Sequence, residues 1–168
     1  MRYVLVTILV MLCAVNAGLA EASSEYEREA LRGLPGVQVI IDQINPDGQN
    51  GSLSKETIRT AVELILQSSR IPILTRQERL KTPSAPFLYI NINTVKADNM
   101  PLFASNIHVE LIQSVLLRNQ AETLTFATTW HSSLAALAGS NLLKASTIEN
   151  LESLVKEFVE DFMAMNPR

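Results

Sequence analysis

The sequence predicts an α+β fold, a two-layer sandwich in which two long helices cover one face of a mixed five-stranded sheet. Three observations carry this. A strand-like run, an amphipathic helix and a second strand-like run follow one another early in the chain. Three runs of alternating apolar and polar residues then succeed each other with only turns between them. The chain closes on a long amphipathic segment with a broad apolar stripe. The order reads β-α-β, then an antiparallel meander, then a C-terminal helix.

The first strand is "GVQVIIDQI", bounded by Pro35-Gly36 and Asn45-Pro46 and rich in β-branched residues; residues 37–44 are expected to be extended, with Val37, Val39 and Ile41 on one face. "NPDGQNGS" is a turn-rich loop whose one carboxylate, Asp47, falls short of a calcium ligand set. In "LSKETIRTAVELILQSS", Ser54 is placed to cap a helix and Leu53 to pack on Ile58. Ile58, Ala61, Val62, Ile65 and Leu66 share one helical face. "IPIL" restarts an apolar run and is expected to close a β-α-β crossover as a parallel strand. "TRQERLKTPSAP" is expected to connect, with room for one helical turn, and is closed by Pro83 and Pro86.

In the meander, Leu88, Ile90 and Ile92 alternate with Phe87, Tyr89, Asn91 and Asn93. Ile107, Val109 and Leu111 alternate with Asn106, His108 and Glu110. In "TLTFATTWHS", Leu124, Phe126 and Trp130 share one face, opposite Thr125, Ala127, Thr129 and His131, which makes Trp130 a core anchor. Turns are expected at "KADNMP" and "RNQAE". "SLAALAGSNLL" is unusually apolar for a connection, and reads as a buried turn, a helical extension or a docking loop. In the last element Ser146 and Glu149 are spaced as a capping box. Ile148, Leu151, Leu154, Val155, Phe158, Val159 and Phe162 form the apolar stripe of a core-covering helix.

The start of the chain, "MRYVLVTILVMLCAVNAGLA", has one arginine, an apolar run from Val4 to Val15, and small residues at Ala17, Gly18 and Ala20. That order is expected of a secretory signal peptide over residues 1–20, the run being short for a membrane span. The protein is therefore expected to be exported, periplasmic or secreted, with residues 21–35 as a frayed lead-in and residues 36–168 as one domain. Leu12 before Cys13 does not suit a lipid-anchor signal. Cys13 is the one cysteine of the chain, so the part beyond the leader holds no disulfide and depends on a packed core. The net charge of −3, with no clustered lysines or arginines, argues against nucleic acid as a partner, and no transmembrane span is expected beyond the leader.

Two sets of residues carry chemical interest. His108 and Glu110 lie two apart on one strand face, and a turn centred near Asn119 to Ala121 would bring His131 across from Glu110, to within a register step or two. Two histidines and a carboxylate form a permissible three-ligand set for zinc, and hence for a metal-assisted hydrolase, although the same residues are ordinary on a solvated sheet face. Phe87 and Tyr89 fall on that face with His108 and mark a candidate partner-binding surface. No nucleophile elbow, S-x-x-K pattern or glycine-rich phosphate loop is present.

The phrases "LRGLPGVQVIIDQI", "IPILTRQERLKTPSAPFLYININT", "HVELIQSVLLRN" and "FVEDFMAMNP" resemble a family of small exported bacterial proteins without an assigned activity. In topology alone, the β-α-β-β-β-α order is similar to the N-terminal domain of the Tol-Pal propeller protein and the periplasmic part of the curli secretion pore. The expectation that follows is a binding or adaptor domain of the cell envelope, acting on an envelope protein or on itself as a homo-oligomer. A metal-assisted hydrolase built from His108, Glu110 and His131, or a carrier of a small apolar ligand, are the alternatives.

Overall fold

The computed structural model describes residues 24–167; the expected signal peptide and its cleavage site lie outside them. The fold is α+β, with a four-stranded mixed open sheet and five helices among the described residues. In chain order these are α1 (Glu25–Glu29), β1 (Gln38–Ile41), α2 (Pro46–Asn50), α3 (Lys55–Ser68), α4 (Arg76–Lys81), β2 (Phe87–Lys96), β3 (Leu102–Leu117), β4 (Gln120–Gly139) and α5 (Leu143–Met165). Sheet order equals chain order. β1 pairs parallel to β2, and β2, β3 and β4 run antiparallel. No described helix is long and apolar enough to cross a membrane.

The expected fifth strand, "IPIL", does not form. Its contact with the sheet is one parallel bridge, Val37 to Ile73, held by Val37 N–H donating to Pro72 O and Leu74 N–H donating to Val37 O. Pro72 has no N–H to extend a ladder. Two residues beyond Ile73, Thr75 and Glu78 close the capping box of α4 and turn the chain away. The first crossover therefore runs from β1 through α3 and α4 to β2, with Val39 beside Leu88 and Ile41 beside Ile90.

The core lies between α3, α5 and one sheet face. Leu88, Ile90 and Ile92 of β2, with Ile107, Val109 and Leu111 of β3, are buried against Ile58, Val62 and Leu66 of α3 and Leu151, Leu154, Val155, Phe158 and Phe162 of α5. Trp130 of β4 meets Phe158 edge-on, ring centroids 5.2 Å apart, and its indole N–H donates to Asp161 at 2.9 Å. An aromatic body in the core with its one donor satisfied at the rim is the arrangement tryptophan burial requires.

Three further elements depart from expectation. α5 begins at Leu143, and the Ser146–Glu149 capping box does not form; Leu142 caps without any side-chain hydrogen bond. Burial outweighs capping here, because Leu143 is fully buried and fits against Gly51, where a Cβ would collide with a Leu143 methyl. "SLAALAG" is the end of β4, not a connection. Residues 24–35 are not a frayed lead-in. Ser24 and Glu27 form a capping box on α1, Leu31 and Leu34 enter the core, and Asn166 after α5 donates to Leu31 O and accepts from Gly33 N–H.

Candidate functional site

β3 and β4 are longer than β2, so their paired ends project past it as a two-stranded arm. At the base of the arm the register slips. Leu111 pairs with Trp130, but Ile112 pairs with Thr128, leaving Thr129 as an extra residue, a β-bulge. Because strand side chains alternate, one extra residue exchanges the faces beyond it. Trp130 stays in the core, as expected, whereas Leu124 and Phe126 emerge on the opposite face, 67% and 56% exposed. The expectation that they share the face of Trp130 fails for this reason.

That opposite face carries the candidate residues. Phe87, Tyr89, Asn91 and Asn93 of β2 stand beside Ile112, Glu110, His108 and Asn106 of β3, and Glu110, His108 and Asn106 stand in turn beside His131, Ser133 and Ala135 of β4. Asn93, Asn106, His131, Ser133, Ala135 and Leu137 are exposed there, while α3 and α5 pack on the other face. Glu110 pairs with His131, within the register expected, but the turn lies at Arg118–Asn119 and the register shifts after Leu111 and Leu116 supply the offset.

The structure thus places His108, Glu110 and His131 together on one face, but each of the last two already has a partner. His131 Nδ1–H donates to Glu27 Oε1 at 2.6 Å, and the Thr128 hydroxyl donates to Glu110 at 3.1 Å. Among the described residues no group of three or more His, Cys, Asp or Glu is arranged to hold a metal ion. Burial pushes the Glu27 carboxyl up, but hydrogen bonds from the Ser24 backbone, the Ser24 hydroxyl and His131, together with the His131 charge, outweigh it and leave the group below the usual carboxylate range.

Phe87 and Tyr89 are only half exposed, and each is engaged within the chain. Phe87 lies between the Arg79 guanidinium, 5.0 Å from its ring centroid, and Phe126 at 6.0 Å. The cover comes from α4 and the arm. Tyr89 donates its hydroxyl to Asp42, and Asn91 donates to the same carboxylate at 2.7 Å. The Tyr89 bond, then those from Gln43 N–H and Asn91, hold Asp42 below its ordinary value; Asp42 in turn pushes the Tyr89 phenol up. His108 is half-buried between Asn91 and Ser133.

Asp42, Arg79 and Phe126 were not marked by the sequence. Asp42 reaches Tyr89 through the parallel β1–β2 register, which no local pattern encodes, and Phe126 reaches Phe87 through the bulge. Around the far end of β4 runs an open cleft of about 910 Å³, lined by Val95, Leu134, Leu137 and Leu154 but also by Asn150 and Glu157. The sheet's outer edge is crossed by α1. Its consecutive residues Glu27 and Arg28 reach His131 on the open face and Asp161 on α5, across the other face, so α1 straddles β4 beside residues 130–131. No family model matches the chain, and no curated protein matches it.

Proposed function

We propose that this protein is an exported binding or adaptor domain that acts by protein–protein contact in the bacterial cell envelope. The observation that carries the reading is the sheet face left open by α3 and α5, exposed at Asn93, Asn106, Ser133 and Ala135 and bordered by Tyr89 and His108. An array of amides and hydroxyls backed by a packed core suits recognition, because its donors and acceptors are held in place by the sheet. Glu110 and His131, the pair nearest to acid-base geometry, are engaged by Thr128 and Glu27.

The test is site-specific photocrosslinking in the native envelope, with the photoreactive residue at Asn106 or at Asn93 and a control at Leu64, which is exposed on α3. The expected outcome is one envelope protein captured from both sheet positions and not from Leu64. Capture that is the same at all three positions, or absent at the sheet positions, would remove the open face as the binding surface.

A further inference from the structure

We propose that two copies of this chain pair antiparallel along the outer edges of their β4 strands, about a two-fold axis at Thr125, joining the two sheets into one. Among the described residues β4 closes the sheet order and has no strand on its outer side. Edge strands are ordinarily guarded by lysine, proline or inward charge. From Gln120 to Gly139 this strand has no lysine, arginine or proline, and Glu122 is its one carboxylate.

The edge that is open to pairing has definite limits. α1 straddles it beside residues 130–131, and the Arg118–Asn119 turn ends it on the other side. What lies between is residues 120–129, and within it the exposed apolar residues Leu124 and Phe126 flank Thr125. An isologous pairing that sets Leu124 against Phe126 of the second copy is centred on that residue.

In this register Leu124 stands opposite the second copy's Phe126, and Phe126 opposite the second copy's Leu124. Leu116 pairs with Leu124 within one copy, so the apolar row Leu116–Leu124 continues into Phe126 of the other, twice over by symmetry. These three residues are 61%, 67% and 56% exposed in the single chain. Aromatic–aliphatic cross-strand pairs are favourable, and Glu122 faces Thr128 of the other copy, so no like charges oppose each other. An arm of only two strands with exposed leucines also lacks the cover that hairpins need for stability. A second copy supplies a strand together with the Leu124 and Phe126 side chains that continue the row. The arm lies beyond the end of β2, apart from the open face around Asn106, so this pairing stands or falls independently of the envelope partner.

The experiment is disulfide trapping in a Cys13→Ser background, joined to sedimentation of the purified chain. Directly opposed residues in antiparallel strands have Cα atoms about 4.5–5.5 Å apart, within the roughly 4.4–6.8 Å that a disulfide spans. Thr125→Cys is expected to form a covalent dimer on mild oxidation, and Leu137→Cys, exposed on the same strand but out of register, is not. Sedimentation is expected to give the mass of two chains, with Phe126→Lys weakening association by at least about tenfold while Phe126→Leu retains it. Should Phe126→Lys misfold by circular dichroism, Leu124→Lys replaces it with the same expectation. A one-chain mass at every concentration, equal cross-linking at both cysteine positions, or undiminished association of the folded lysine variant overturns the proposal; association that survives it and needs a co-purifying peptide identifies the foreign strand instead.

Discussion

At Asp42 a single carboxylate ties the end of β1 to β2 through Tyr89 and Asn91. Because the Tyr89 hydrogen bond, ahead of those from Gln43 and Asn91, lowers its folded pKa from the ordinary 3.8, the linked stability is present above about pH 3.8 and is lost as pH falls through the depressed value. Tyr89 runs the other way. Its pKa is raised above 10.0 by the same bond, by burial and by the charge of Asp42, so its contribution is present below pH 10.0 and is lost as pH rises through the raised value. Urea midpoints measured across pH are expected to fall at both extremes for the parent. Asp42→Asn is expected to flatten both limbs and Tyr89→Phe to flatten the alkaline limb most; acid and alkaline limbs unchanged in either variant would show that the pair contributes nothing.

Among elements, the elongated β4 and the long α5 decide the packing. Phe158 on α5 contacts both Trp130 and Phe162, and its truncation removes the centre of that aromatic row. Phe158→Ala is expected to cost about 3–5 kcal/mol in chemical denaturation; a loss below about 1 kcal/mol would place the ring outside the load of the core. The inward faces of α3 and α5 and the alternation in β2 and β3 were legible in sequence, because burial imposes periods of 3.6 and 2 on residue type. The bulge at Thr129 was not, since an inserted residue leaves composition unchanged and only reverses phase. Nor was the start of α5 at Leu143, because the buried fit of that side chain against Gly51 is a contact distant in sequence. "IPIL" has strand composition, and the sheet admits only one bridge from it because Pro72 and the Thr75 cap bracket so short a segment. Of the candidate site, the Glu110–His131 pairing was legible only to within a register step or two, because the turn lies at Arg118–Asn119 and two register shifts supply the offset, while Asp42 and Glu27, the groups that engage Tyr89 and His131, come from parallel register and helix docking.

At the scale of the whole molecule, the N-terminal segment and the end of α5 are joined by one side chain. Asn166 donates to Leu31 O and Phe162 O, each at 2.9 Å, and accepts from Gly33 N–H at 2.7 Å. Its amide thus satisfies the end of α5 and a backbone turn that otherwise has no regular partner, where Gly33 adopts φ +73°. Asn166→Ala is expected to lower stability by about 1–3 kcal/mol and to speed amide exchange in residues 25–34 more than in β2. Exchange accelerated equally throughout would mean that the N-terminal segment and the sheet open as one unit.

The same amide has a mechanical meaning. Leu31 and Asn166 are near neighbours in space although almost the whole domain lies between them in sequence. A force applied to the two ends of the fold is therefore borne first by a few hydrogen bonds in series, opened one after another like a zip, rather than by the long β3–β4 ladder loaded in parallel. The core lies between α3, α5 and the sheet, but the fold would yield to traction at its seam, and any process that threads or drags the chain by an end would begin by parting α1 from α5.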